Sequence, residues 1–219
     1  MIKKLFKNEF FLGTFILLTG GFLSKFLGFI LRIIITRQIG TEGIGLYSLI
    51  MPTFGLFITI ATFSYPVAIS KIISIRGKSS KKAIFSIIPI SLILNLFTLI
   101  VIFLISKPLA SIFLKDTRLY MPLLSIGFTL PFIGLSSIIK GYYWGKQRMG
   151  VYILSNITEQ IVRIIVLVIL VTKLINISLV LTVSVIILVN ILSETSSIIV
   201  MLLGLPKGIT ISKEDIRPS

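Results

Sequence analysis

Long apolar runs interrupted by short clusters of Gly, Pro and charge dominate this chain, and six of them have helix-compatible length: about 10–36, 46–70, 83–106, 119–139, 151–172 and 177–203. A membrane-crossing helix needs roughly 20 predominantly apolar residues, so each run is long enough to be one. The pattern predicts an all-α, polytopic membrane protein with six transmembrane helices. They form a single lobe over residues 1–206, followed by a polar tail or linker at 207–219.

Composition closes off the alternatives. Of 219 residues, 55% are hydrophobic and 13% charged, and the mean hydropathy is +1.08. Soluble domains carry about 25% charged residues, which excludes a water-soluble enzyme, and a disordered chain is excluded by the same apolar excess. The first run continues past Lys25 and Arg32 without a small-x-small cleavage site, so it is expected to stay as a span. Neither Cys nor His occurs, which removes disulfides, thiolate metal sites, the commonest general base and the commonest metal ligand. No close carboxylate pair or Gly-rich phosphate loop stands in for them, so neither enzyme activity nor a metal or other cofactor is expected.

The net charge of +15 would suggest nucleic acid in a soluble protein. In a membrane protein it is first a topology signal, and no nucleic-acid partner is expected. With the N-terminus inside, thirteen cations fall on inside positions: Lys3, Lys4, Lys7, Arg76, Lys78, Lys81, Lys82, Lys140, Lys146, Arg148, Lys207, Lys213 and Arg217. Five fall outside: Arg37, Lys107, Lys115, Arg118 and Lys173. The positive-inside rule then gives both termini inside and an even number of spans. Tyr47, Tyr120, Tyr142, Tyr143, Trp144 and Tyr152 lie near proposed helix ends, where amphipathic rings anchor at the membrane boundary; Tyr142-Tyr143-Trp144 is read as such an anchor.

Four cations remain within or at the edges of spans: Lys25, Arg32, Lys71 and Arg163. At 100° per residue Thr14, Leu18, Gly21, Lys25, Gly28, Arg32 and Thr36 share a narrow stripe of the first span. A Lys or Arg at a span centre costs about 2.5–3.5 kcal/mol on an insertion scale. Neither Lys25 nor Arg32 has an acid on its own helix, so the stripe is expected to face a water-filled cavity. In the fifth span Asn156, Glu159 and Arg163 share a face bordered by Gln160, and in the sixth Asn190, Ser193, Glu194 and Ser197 form another. Glu159 and Arg163 stand four residues apart and can pair; mutual satisfaction between packed helices and cavity lining are both open for these residues. Gly127, Gly134, Gly141 and Gly145 suit close helix approach in the fourth span. Ser48, Pro52, Gly55, Thr59, Thr62 and Pro66 form a stripe in the second, which is read as packing and bending.

Two blocks at the start, Gly21-Phe-Leu-Ser-Lys-Phe-Leu-Gly-Phe-Ile-Leu-Arg32 and Arg37-Gln-Ile-Gly-Thr-Glu-Gly-Ile-Gly-Leu-Tyr47, resemble the stage V sporulation protein B-like group of polysaccharide-biosynthesis transporters. So do Ser64-Tyr-Pro-Val-Ala-Ile-Ser-Lys71, Lys140-Gly-Tyr-Tyr-Trp-Gly145 and Glu159-Gln-Ile-Val-Arg163. The group belongs to the multidrug/oligosaccharidyl-lipid/polysaccharide exporter superfamily. This resemblance implies one six-helix lobe of a two-lobe transporter, a central cavity, alternating access, and the bacterial cytoplasmic membrane as location. It implies as substrate an anionic lipid-diphosphate-linked saccharide or cell-wall precursor, with Lys25, Arg32 and Arg163 as candidate substrate cations. Glu159, Asn156, Gln160, Asn190 and Glu194 are the cavity or coupling candidates. A second six-helix lobe, or another copy of the chain, is expected as partner. Two alternatives stay open: an ion-coupled antiporter lobe for organic cations, which would use Glu159 or Glu194, and a non-transporting subunit or truncated remnant.

Overall fold

A computed structural model describes residues 9–76 and 80–204, and these are helical apart from short connections. The tail at 207–219 and the inside-assigned Lys3, Lys4, Lys7, Lys78, Lys207, Lys213 and Arg217 lie outside the described residues. The first element, Glu9–Thr62, is broken at Gly40 into α1 (9–39) and α2 (41–62). There follow α3 (Tyr65–Arg76), α4 (Ser80–Pro108), a π-helical turn (Leu109–Phe113), a 3-10 turn (Thr117–Leu119), α5 (Tyr120–Gly145), α6 (Met149–Leu174) and α7 (Leu179–Leu203).

Five stretches are long and apolar enough to cross a membrane: Gly13–Ile75, Ile87–Phe113, Thr117–Gly145, Met149–Leu174 and Leu179–Leu203. The first has 63 residues; as a straight helix it would be about 95 Å long, three times the hydrocarbon thickness. The chain instead reverses within it. Gly40 has φ 66° and ψ −174°, a region open essentially to glycine alone, and the two arms run in opposite directions from it. Gly13 and Gly20 near the start of α1 approach Met149 and Ile153 at the start of α6. Beyond α2, Pro66 approaches Gly141 near the end of α5, so both arms have their far ends at the same end of the bundle.

Two departures from the sequence reading concern the second span. The run 46–70 is not one helix: Phe63 and Ser64 both take positive φ (38° and 56°), α2 ends at Thr62, and α3 starts afresh at Tyr65. Pro66 therefore does not kink a helix interior. It sits in the first turn of α3, where a missing N–H leaves no helical bond unmade. Of the stripe that reads as packing on the sequence, Ser48, Pro52, Gly55 and Thr59 are exposed and a Cβ on Gly55 would meet nothing within 4 Å, whereas Thr62 is half-buried and Pro66 packs closely against Gly141.

Helix α5 is the hub. Its residues are buried on most faces, against α7, α4, α3 and the α1–α2 pair. Lipid tails are as apolar as leucine, so close backbone approach rather than expulsion of water holds such a bundle together. The glycine stripe does this as expected: a Cβ would fall 2.5 Å from Asn95 Nδ2 at Gly134, 2.8 Å from Pro66 Cα at Gly141 and 2.7 Å from Ile73 Cβ at Gly145. At Gly127 the nearest atom would be at an ordinary 3.5 Å. Asn95, fully buried on α4, donates to Ser91 O at 2.8 Å and to Ala61 O at 3.4 Å. Ala61 lies in the last turn of α2, where carbonyls lack helical partners.

The two ends of the bundle are pinned separately. At the Gly40 end, exposed Arg118 donates to Glu42 Oε1 (2.5 Å) and Asp116 Oδ2 (2.9 Å), and a Cβ on Gly43 would lie 2.9 Å from Leu179 Cδ1. At the other end Tyr143 Oη donates to Met201 O. Tyr143 is fully buried, which corrects its reading as a boundary anchor; only its neighbour Trp144 is exposed. The packing contact with α7 wins because α5 extends six residues beyond the expected end at 139 and carries Tyr143 into the helix interface.

Candidate functional site

Helices α1 and α2 present their polar stripes side by side. Lys25, Arg32 and Thr36 on α1 are exposed, and Cβ atoms added at Gly21 or Gly28 would meet nothing within 4 Å. Ser48 and Pro52 on α2 are exposed beside them. A cavity of about 830 Å³ lies between the arms, lined by Gly28, Arg32 and Thr36 from α1 and by Tyr47, Ser48 and Pro52 from α2, among others. Pro52 has no N–H, so the carbonyl of Ser48 on this wall lacks its i+4 partner. Thr36 Oγ1 donates to Arg32 O at 2.8 Å, which leaves the Arg32 guanidinium uninvolved in that bond. Lys25, two turns away, does not line this cavity.

A second cavity of about 410 Å³ shares Leu31, Ile35, Tyr47 and Met51 with the first as a common wall. Most of its lining is apolar, and its polar end is formed by Glu159 and Arg163 of α6 and Asn190 and Glu194 of α7. Here the four-residue spacing is realised: Arg163 Nη2 donates to Glu159 Oε1 at 2.6 Å. The guanidinium also donates through Nε to Ser193 Oγ at 3.3 Å. Asn190 Nδ2 donates to Ile187 O at 2.8 Å. Asn156 and Gln160 line neither cavity, and the buried Gln160 Oε1 has no hydrogen-bond partner.

The residue that local pattern did not reveal is Lys140. Counted on the sequence among the inside cations, it is only 18% exposed and sits within the bundle. Its Nζ donates to Glu159 Oε2 at 2.8 Å and Glu194 Oε2 at 3.4 Å. These two partners stand 19 and 54 positions away, out of reach of any helical periodicity. Lys140, Glu159, Arg163 and Glu194 thus form a buried network with two charges of each sign. Buried charges are tolerated when they are paired and hydrogen-bonded in this way.

The arrangement divides the cations the sequence singled out. Arg163 is committed to Glu159 and Ser193. Arg32 stands in an open, largely apolar cavity, where a guanidinium is able to make bidentate contacts to an anionic oxygen pair. Among the described residues no group of three or more acidic side chains is placed to hold a metal ion.

The chain is similar to three proteins of Bacillus subtilis strain 168. It is 40% identical to stage V sporulation protein B over 164 residues, which is 72% of this chain and 32% of that protein. It is 30% identical to sporulation protein YkvU over 72% of this chain and 35% of the relative, and 28% identical to the lipid II flippase MurJ over 70% and 30%. The chain thus spans about a third of the length of the curated relatives it matches. No solved structure matches it. The relative named for an activity is a lipid II flippase, a transporter. With five stretches apolar enough to cross a bilayer, this is a multi-pass protein of the bacterial cell membrane. The polysaccharide biosynthesis protein profile matches residues 11–219, nearly the whole sequence, and the chain belongs to that family.

Proposed function

We infer that this chain forms one lobe of a flippase that moves a lipid-linked saccharide or cell-wall precursor across the cytoplasmic membrane. The observation that carries the reading is Arg32, an exposed cation within an apolar helix, set into a largely apolar cavity between α1 and α2 with Thr36 and Ser48 beside it. A saccharide joined to lipid through a diphosphate brings an anionic group that must be compensated in a low-dielectric cavity, and Arg32 supplies a planar, permanently charged fork for it. Lys25, on the same open stripe, is a second point charge along the path. Arg163 is a weaker candidate because Glu159 already holds it.

On this reading the Gly40 reversal splits the first stretch into two crossings, giving six spans with both termini inside. Arg118 and Glu42 then meet at the outer face. The exposed stripes of α1 and α2 face a second six-helix lobe or another copy of the chain, which completes the cavity.

Translocation of a lipid-linked precursor, measured with Lys25→Gln and Arg32→Gln, tests the assignment. Loss of transport at normal protein levels supports it, and unchanged rates in both variants rule out the cavity role. The organic-cation antiporter gains less support, since Glu159 and Glu194 line the smaller cavity but are already paired with Lys140 and Arg163.

A further inference from the structure

We propose that the space between α5, α6 and α7 is a monovalent-cation site whose resident cation is the ammonium of Lys140, so that no exchangeable ion is taken up there while the lysine is present. The direction of the side chain carries the argument. Lys140 lies five residues, or about 7–8 Å, from the end of α5, close enough for its stem to lead the charge out to water. It runs inward instead, to Glu159 and Glu194, whose side chains are 9% and 8% exposed.

The division of labour within the network makes Lys140 the one that matters for Glu194. Arg163 serves Glu159 and Ser193, so among the described residues Lys140 is the sole cation within ion-pair distance of Glu194. Without it, two carboxylates and one guanidinium would share the interior, with Glu194 buried and uncompensated. Two carboxylates with the Asn190 amide beside them offer an oxygen-rich environment of the kind that hard cations occupy. Glu159, Glu194 and Asn190 all line the 410 Å³ cavity, which gives an ion from solution a place from which to approach. The titratable groups facing Glu194 are Lys140 from α5 and Glu159 and Arg163 from α6, with Tyr47 of α2 on the same cavity wall. Either Na+ or a proton would meet the charge requirement once the ammonium is removed, and the two are separable by experiment.

The test uses the 219-residue chain purified in detergent, with melting temperature as the readout, so that its outcome is independent of the transport reading. Wild type is expected to melt identically in sodium chloride and in choline chloride of equal ionic strength. Lys140→Met should melt lower in choline. A recovery of about 3 °C or more on substituting Na+ at constant pH identifies a metal ion, and the same recovery on acidification in choline identifies a proton. Lys140→Met/Glu194→Gln, which removes the excess negative charge, should need neither. A specific Na+ stabilisation of wild type, or a Lys140→Met variant indifferent to both Na+ and acid, overturns the proposal. Should Lys140→Met not accumulate, accumulation of the double variant supports the proposal and equal loss of both overturns it.

Discussion

A Cβ placed on Gly20 of α1 would lie 2.2 Å from Ile153 Cγ2 of α6, with two further Ile153 atoms at 2.9 and 3.0 Å, whereas a Cβ on the adjacent Gly21 would meet nothing within 4 Å. Ile153 is itself buried and branched at Cβ, so it has little room to turn away. Gly20→Ala is expected to lower stability by about 1–3 kcal/mol through overpacking. Gly21→Ala should be neutral or slightly stabilising, because alanine is the better helix former. Thermal unfolding of the two variants in detergent distinguishes adjacent glycines that a sequence treats alike.

Gly40 makes the opposite case, since space is not its constraint. A Cβ added there would meet nothing within 4 Å, but φ 66° with ψ −174° is strained for every other residue. Gly40→Ala should therefore cost about 1–3 kcal/mol from backbone strain alone. Gly45→Ala, equally open but helical, should not destabilise. Equal melting temperatures for the two variants would show that the reversal at Gly40 does not depend on glycine.

Arg118 ties the Gly40 end of α1–α2 to the connection before α5. Its side-chain hydrogen bonds hold the Asp116 carboxyl below the usual aspartate range. A depressed folded value contributes stability that is complete above the unfolded value near 4 and is lost as pH falls through the lower folded value. Asp116→Asn keeps a side-chain oxygen to accept from Arg118 N, as Asp116 does at 3.0 Å, while deleting the charge. Wild type should melt above this variant at neutral pH by about 1–2 °C, with the gap shrinking in strong salt and closing in acid. A gap that widens in acid would contradict the sign.

For the larger cavity, charge and geometry are separable at Arg32. If its role is to hold a paired set of anionic oxygens, Arg32→Lys should fall between wild type and Arg32→Gln in translocation, on the order of 10-fold below wild type, because a lysine keeps the charge but loses the fork. Full activity in Arg32→Lys would show that a point charge suffices.

Local pattern carried the features that repeat within one helix. The apolar runs located the helices, the glycine spacing on α5 located its close contacts, and the four-residue spacing located Glu159–Arg163. What escaped was decided by residues distant in sequence. Lys140 ends an apolar run and so counts as a boundary charge until α6 and α7 bring Glu159 and Glu194 against it. Phe63 and Ser64 continue an apolar run without a break, and only their positive φ values divide α2 from α3. The stripe on α2 reads as packing by composition, since small residues serve a helix contact and an open wall equally well; for Ser48 and Pro52, exposure beside Arg32 decides for the wall.

The Lys140 network also bears on how the chain is made. Helices enter the bilayer in order of synthesis, and α6 arrives carrying Glu159 and Arg163 already able to neutralise each other along one helix. Helix α7 brings Glu194 with no cation of its own, and an acid near a span centre adds about 2.5–3.5 kcal/mol to the work of insertion. The ammonium that receives it stands on α5, two helices earlier. Glu194 is therefore neutralised between helices and not within its own, and that compensation is complete only when α5 and α7 are packed together.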